Sequence, residues 1–126
     1  GMITAAQTEA EAAAAVSDLA DQATIVDALL GTGISGEVRG PVRAAIDAWP
    51  RIRTVSVDLP SGMDADTGKP CGAAVRADIT VTFQFLKSGL QNPDAHEYVG
   101  RLVVADIGIP DVCADDAAWQ ELQDRP

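Results

Sequence analysis

The chain has 126 residues, a formal net charge of -10 and only 4% aromatic residues. That length holds one domain with a hydrophobic core. The charge argues against nucleic-acid or membrane-surface binding, both of which need basic patches, and no run is long and apolar enough to span a bilayer. Gly1 before Met2 reads as a tag-cleavage scar, and the polar, alanine-rich start carries no secretory pattern, which fits a cytoplasmic protein. Cys71 and Cys113 lie far apart, outside any CxxC or Cys/His cluster, and read as free thiols.

Residues 4–21 are rich in Ala and Glu. Thr8 and Glu11 have capping-box spacing, so a helix is expected with Val16 and Leu19 on a weak apolar side. Residues 24–30 read as a first strand. Asp27 interrupts an otherwise apolar run of the kind that is buried on both faces of a sheet. A glycine-rich loop follows at 31–40. Pro41 suits the first turn of a helix that places Val42, Ala45, Ile46 and Trp49 on one stripe, and Pro50 ends it. Residues 53–59 alternate Val55, Val57, Leu59 with Thr54, Ser56, Asp58, a second strand. The resulting βαβ unit makes the two strands parallel with a right-handed crossover. Residues 60–70 form a long polar loop whose Pro, Gly and Asp content forbids regular structure. A third strand is expected at 79–85, an irregular connection at 87–98, a fourth strand at 102–107 and a C-terminal helix at 114–124 carrying Trp119 and Leu122. The whole reads as one α/β layer structure without internal repeats.

Several residues carry candidate chemistry. Gly31-x-Gly33-x-x-Gly36 matches the dinucleotide fingerprint formally, with Asp58 near the position of a ribose-binding acid. The helix starts too late for an ordinary Rossmann dehydrogenase, and a glycine-rich turn without a ligand is the plain alternative. Asp27 is either a structural acid bonded to loop N–H groups or a cation ligand, since a buried carboxylate must be paired, protonated or metal-bound. Asp58, at a strand's carboxyl end before Leu59-Pro60-Ser61-Gly62, is placed for a general base or for capping a turn. Ser61 lacks a G-x-S-x-G elbow and His96 is the sole histidine, which disfavours a serine-hydrolase triad. Asp64 and Asp66 lack EF-hand spacing and read as solvated turn residues. Lys87 faces either an anionic ligand or water, and taken alone it reads as facing water.

Taken together, Val26 to Gly36, Arg39-Gly40-Pro41, Val57 to Gly68, Ala77 to Phe83, Lys87-x-Gly89-Leu90 and Gly100 to Pro110 occur in the order seen in one family. Over residues 24–110 the chain resembles the second half of the NAD(P)H-hydrate epimerase domain, the YjeF N-terminal domain. The resemblance implies a Rossmann-like αβα sandwich with a mostly parallel sheet of four or five strands, here a single partial domain over 1–126, truncated on its N-terminal side. It implies an isomerase of nicotinamide-cofactor repair that interconverts the R and S epimers of NADHX or NADPHX. It also implies K⁺ ligands at Asp27 and Ser61. Gly31, Thr32, Gly33, Ile34, Ser35, Gly36 and Glu37 would cradle the pyrophosphate, and Asp58 would contact the substrate near the reacting nicotinamide ring as the catalytic residue. The family's Asn-Asn-Gly-Gly-Asp-Gly loop, which supplies another K⁺ ligand and a second phosphate-binding wall, has no counterpart before residue 24. Its absence leaves two expectations: an epimerase domain incomplete as this chain alone, or an inactive nucleotide-binding remnant associated with an NAD(P)HX dehydratase. It also implies an exposed sheet edge, and with it a homo-oligomer or a companion chain that completes the domain.

Overall fold

The computed structural model describes residues 3–34 and 36–114, so Ser35 and the helix expected at 114–124 lie, respectively, outside and almost wholly outside the described residues. Helix α1 spans Glu9–Ser17, strand β1 Ile25–Asp27, helix α2 Gly40–Asp47, strand β2 Thr54–Val57, strand β3 Ile79–Phe83, helix α3 His96–Val99 and strand β4 Arg101–Ala105. The connection before α3, expected to be irregular, instead coils into two 3-10 turns at Ser88–Gln91 and Pro93–Ala95, the second opened by Pro93 with Asn92 capping the Asp94 amide. α1 begins where its cap dictates: Thr8 Oγ1 accepts from Glu11 N at 3.2 Å, and Glu11 Oε2 accepts from Thr8 N at 3.1 Å. It is shorter than its alanine content suggests, so Val16 is buried while Leu19 falls beyond the helix and stays 37% exposed.

The four strands form one parallel sheet in the order β1-β2-β3-β4. Parallel neighbours joined by right-handed crossovers place each connection on the same side when the sheet grows in one direction. The side chains show this. Trp49, just beyond α2, donates from Nε1 to Thr54 Oγ1 on β2 at 3.0 Å, and Thr80 Oγ1 on β3 donates to the Val99 carbonyl of α3 at 2.7 Å. Thr54 and Thr80 point the same way out of the sheet, so α2 and α3 share a face. α1 packs against α2 through Ala12, Val16 and Ala45.

The covered face is lined by small polar side chains: Asp27, Thr54, Ser56, Thr80 and Thr82 are all fully buried. Their hydroxyls are satisfied, and among the described residues no buried side-chain N or O lacks a partner. Short side chains let the connecting layer approach closely, and its own apolar groups make the core. Leu59, Met63, Leu90, Ala95 and Val99 form one cluster; Val38, Ile46 and Val75 form another. Burying each large side chain among them contributes about 1.5–3 kcal/mol.

The opposite face carries Val26, Val55, Val57, Ile79, Val81, Phe83, Val103 and Ala105 by strand alternation. None of these joins a core cluster, and all but Val26 are only partly buried. β1 was expected to be buried on both faces. Its Val26 is instead 61% exposed, because β1 is the outermost strand and no described residue covers that side.

Candidate functional site

The carboxyl ends of β1 and β2 meet at Asp27. Its side chain is completely buried. Oδ2 accepts from Ser56 Oγ at 2.7 Å and from Ser61 N at 2.8 Å. Oδ1 receives only Leu29 N, at 3.4 Å. Ser61 is buried beside it and ties the loop after β1 to the loop after β2: its Oγ accepts from Leu30 N at 2.9 Å and donates to the Leu30 carbonyl at 3.4 Å. Gly62 makes this turn possible. Its φ is +92°, and a Cβ there would run into the Ala73 carbonyl. The two residues proposed as cation ligands thus sit in one hydrogen-bonded knot. The donor atoms there are oxygens, the chemistry a hard cation takes, and Asp27 Oδ1 is the least engaged of them. Among the described residues no cluster of three or more His, Cys, Asp or Glu side chains could hold a metal ion.

Beyond the knot the glycine loop opens. A Cβ added at Gly31, Gly33 or Gly36 would meet nothing within 4 Å. Internal packing therefore does not require glycine at these positions, and the omitted side chains leave room outside the chain. A cleft of roughly 500 Å³ lies there, lined by Leu29, Leu30, Gly31, Gly33, Ile34, Val38, Arg39 and Val42. Ile34 packs its side chain toward Val38, Ile46 and Val75, so it can offer a ligand its backbone more readily than its side chain. Thr32, Gly36 and Glu37 are exposed on the loop outside the cleft lining.

The loop runs into the amino end of α2, whose N-cap Arg39 has no side-chain capping bond. The free N–H groups and the helix dipole favour an anion there. Arg39 itself lines the cleft and is held only loosely, 3.7 Å from Glu37. In the sequence Arg39 stands only as part of Arg39-Gly40-Pro41. The signal that points to its role is position: a cation at the N-cap after a glycine loop, where a carboxylate or hydroxyl is the usual choice.

Asp58 closes β2 in the left-handed region, at φ 70°. Its Oδ1 accepts from Phe83 N at 3.1 Å, from Thr82 Oγ1 at 3.3 Å and from Lys87 Nζ. Lys87, expected to face water, does not: its Nζ also donates to Thr82 Oγ1 at 3.0 Å and to the Phe83 carbonyl at 3.3 Å. Both charged side chains of the pair are 21% exposed. Gly89 explains the placement. It packs against the Gly68 amide, too close for a side chain, and this pins the turn Ser88–Gln91 to the loop 64–68 with Lys87 over Asp58.

Asp64 and Asp66 behave as turn residues. Asp64 Oδ1 accepts from Thr67 N at 2.7 Å, Thr67 Oγ1 at 2.8 Å and Asp66 N at 3.0 Å. The Thr67 amide, and after it the Thr67 hydroxyl, hold the Asp64 carboxyl below the usual range. Cys71 and Cys113 are free, and burial, aided by the negative charge of Asp64, pushes the Cys71 thiol up. Among the described residues no helix is long and apolar enough to cross a membrane.

The family model described as YjeF-related protein N-terminus matches residues 2–89. The chain belongs to this family. Its α/β, Rossmann-like arrangement of four parallel strands with flanking helices is that expected of a YjeF_N member. Over 101 residues it is 46% identical to an NAD(P)H-hydrate epimerase of Pirellula staleyi, spanning 79% of this chain and 44% of that protein. It is 53% identical over 88 residues to a bifunctional NAD(P)H-hydrate repair enzyme Nnr of Pyrobaculum aerophilum, spanning 68% of this chain and 18% of that protein. It is 45% identical over 95 residues to a bifunctional NAD(P)H-hydrate repair enzyme of Leishmania major, spanning 73% of this chain and 17% of that protein. The chain therefore spans less than half the length of these curated relatives. Within the YjeF_N match fall Asp27, Ser61, Asp58, the glycine loop and Lys87.

Proposed function

We propose that this chain forms the nucleotide-binding and acid/base part of an NAD(P)H-hydrate epimerase acting on the R and S epimers of NADHX or NADPHX. One observation carries the reading. The open glycine loop, the buried Asp27–Ser61 knot and the Asp58–Lys87 pair all lie at the carboxyl ends of adjacent parallel strands, where α/β sheets bind ligands. The relatives named as epimerase and repair enzymes point to the same chemistry.

In this reading the loop amides from Gly31 to Glu37, the amino end of α2 and Arg39 bind the pyrophosphate. Asp27, Ser61 and the Leu30 carbonyl would hold K⁺, which when bound adds positive charge to the phosphate site. Asp58 faces the hydrated nicotinamide ring and takes the hydroxyl proton as the carbon–nitrogen bond of the hydrated carbon opens to an aldehyde; the nitrogen takes the electron pair of that bond, closes on the other face of the aldehyde, and the proton returns to the oxygen. General acid–base help of this kind is worth about 10²–10⁴-fold. Among the described residues the cleft is lined only from the segment 29–42. A second chain, either another copy or a companion that completes the domain, would supply the facing wall, and an NAD(P)HX dehydratase is the natural consumer of the S epimer. The one-sided wall also favours the second reading, a nucleotide-binding module without turnover.

The deciding experiment follows R-NADHX conversion by the chain with and without K⁺, with Asp58→Ala as control. Conversion above the spontaneous rate that is lost in Asp58→Ala supports the enzyme. No conversion at high protein concentration, with K⁺-dependent nucleotide binding that Asp27→Asn weakens, supports the binding module. Neither conversion nor binding refutes both.

A further inference from the structure

A cleft larger than the one at the glycine loop lies elsewhere on the molecule. It measures roughly 920 Å³ and lies at the other end of the sheet, where α2 hands over to β2 and the segment 73–76 runs toward β3. Such a volume lies within the range of small-molecule sites, about 300–1,000 Å³.

Its charge is unusual for this chain. Of nine Lys and Arg residues against nineteen Asp and Glu, four arginines, Arg43, Arg51, Arg53 and Arg76, line this one cleft. They divide into two kinds. Arg43 is bound to Asp47 at 2.7 Å, and Arg76 to Glu97 at 2.7 Å. Arg51 and Arg53 have no carboxylate within 4 Å among the described residues. The two acids that line the cleft are both engaged: Asp47 with Arg43, and Asp78 with the Thr54 amide at 2.7 Å. Two arginines without a carboxylate partner among the described residues therefore line a concave surface in an otherwise acidic molecule, where four arginines outnumber the two carboxylates of Asp47 and Asp78. Guanidinium forks match phosphate oxygens in pairs, and a phosphate monoester carries a charge of about -1.5 to -2 at neutral pH.

The cleft also offers flat surfaces. The Arg76 guanidinium lies over the Tyr98 ring, 4.9 Å from its centroid, and Glu97 holds it there. That leaves a planar group whose charge is already balanced and against which a planar ring stacks. Trp49 forms a second aromatic wall, fixed by its bond to Thr54.

We propose that this cleft is a second ligand site, separate from the glycine loop, and that it takes a nucleoside phosphate, with the phosphate on Arg51 and Arg53 and the base against Arg76 and Trp49. The site stands whether or not the chain is an epimerase, because it shares no residue with the glycine-loop cleft.

The test is calorimetric titration of the chain with ADP, adenosine and inorganic pyrophosphate at two salt concentrations. ADP is expected to bind at micromolar to submillimolar levels, more weakly at higher salt, and at least tenfold better than either adenosine or pyrophosphate. Arg51→Gln/Arg53→Gln, at two exposed positions, is expected to weaken ADP at least tenfold, and Trp49→Leu severalfold. Gly33→Glu, which places a charge in the glycine loop and removes any ADP held there, is expected to leave the binding lost in the arginine variant within twofold. Circular dichroism of each variant checks the fold. No ADP binding at millimolar concentration overturns the proposal, as does ADP binding no tighter than that of pyrophosphate. Binding that Gly33→Glu abolishes and the arginine variants leave intact places the nucleotide in the glycine loop and likewise overturns it.

Discussion

Replacing Asp27 tests the knot that joins the first two strands. Asp27→Ala removes the acceptor of Ser61 N and Ser56 Oγ, which lie 2.8 Å and 2.7 Å away in a fully buried setting. A buried donor left without a partner costs about 1–3 kcal/mol. The Ser56 hydroxyl can rotate toward another acceptor, but the Ser61 amide cannot. Two bonds to a charged acceptor are lost, at about 1.5–3 kcal/mol each, with part of the Ser56 share recovered, so the expected loss is about 2–5 kcal/mol, a large part of the roughly 5–15 kcal/mol that holds a domain together. Asp27→Asn separates geometry from charge. The amide oxygen can take the place of Oδ2, and its NH2 group then lies where Oδ1 faces Leu29 N, at only 3.4 Å. Both principal bonds survive without their charge, at about 1 kcal/mol each, so the loss is about 1–2 kcal/mol. Urea unfolding followed by tryptophan fluorescence measures both. Two variants of equal stability, each within about 1 kcal/mol of the parent, would refute the hydrogen-bond account of Asp27. Repeating the series in potassium and in tetramethylammonium chloride adds the cation. Potassium should stabilise the parent by mass action and Asp27→Asn less.

Lys87→Met strips Asp58 of its partly buried partner and should cost about 1–2 kcal/mol of stability, with epimerisation, where measurable, falling at least tenfold and largely restored in Lys87→Arg; a methionine variant with unchanged activity would argue against the pair. Gly62→Ala drives a methyl group into the Ala73 carbonyl at a left-handed position, so a loss of about 2–4 kcal/mol is expected in thermal unfolding. Acid should loosen the loop around Asp64. Its folded carboxyl titrates below the ordinary value, so its contribution is complete above about pH 4 and is lost as pH falls through the depressed value. The Thr67 amide proton resonance should therefore hold its position down to about pH 4 and move only below it.

Much of the fold was legible because periodicity and punctuation agree. Thr8 and Glu11 marked the start of α1, Pro41 and Pro50 bracketed α2, and the Val/Thr alternation located β2 and β3. What alternation cannot tell is which face is covered. The fully buried side carries not the valines but Thr54, Ser56, Thr80 and Thr82. Their hydroxyls are paired by Trp49, Val99, Asp27 and Asp58, residues far away in sequence or on other elements. The site follows the same division. The glycine loop and Asp27 announce themselves locally. Lys87 does not, since 29 residues separate it from Asp58 and long-range contacts such as Gly68–Gly89 and the Gly89 amide on the Ala65 carbonyl bring them together. The arginines of the second cleft are likewise scattered between 43 and 76, and nothing in their spacing signals convergence.

The strand order bears on how the chain comes into being. Because spatial order equals chain order, each strand pairs with the one synthesised just before it, and none must wait for a distant segment. Domains fold as synthesis proceeds at about 5–20 residues per second, so β1 and β2 can meet over the α2 crossover a few seconds before β3 leaves the ribosome. Asp27 then finds Ser56 and Ser61 early, and the glycine-loop end of the molecule is assembled before Lys87 arrives to complete it. A pause between residues 61 and 87 during translation would leave Asp58 formed but unpartnered, with its surroundings open to water until the last turn is made.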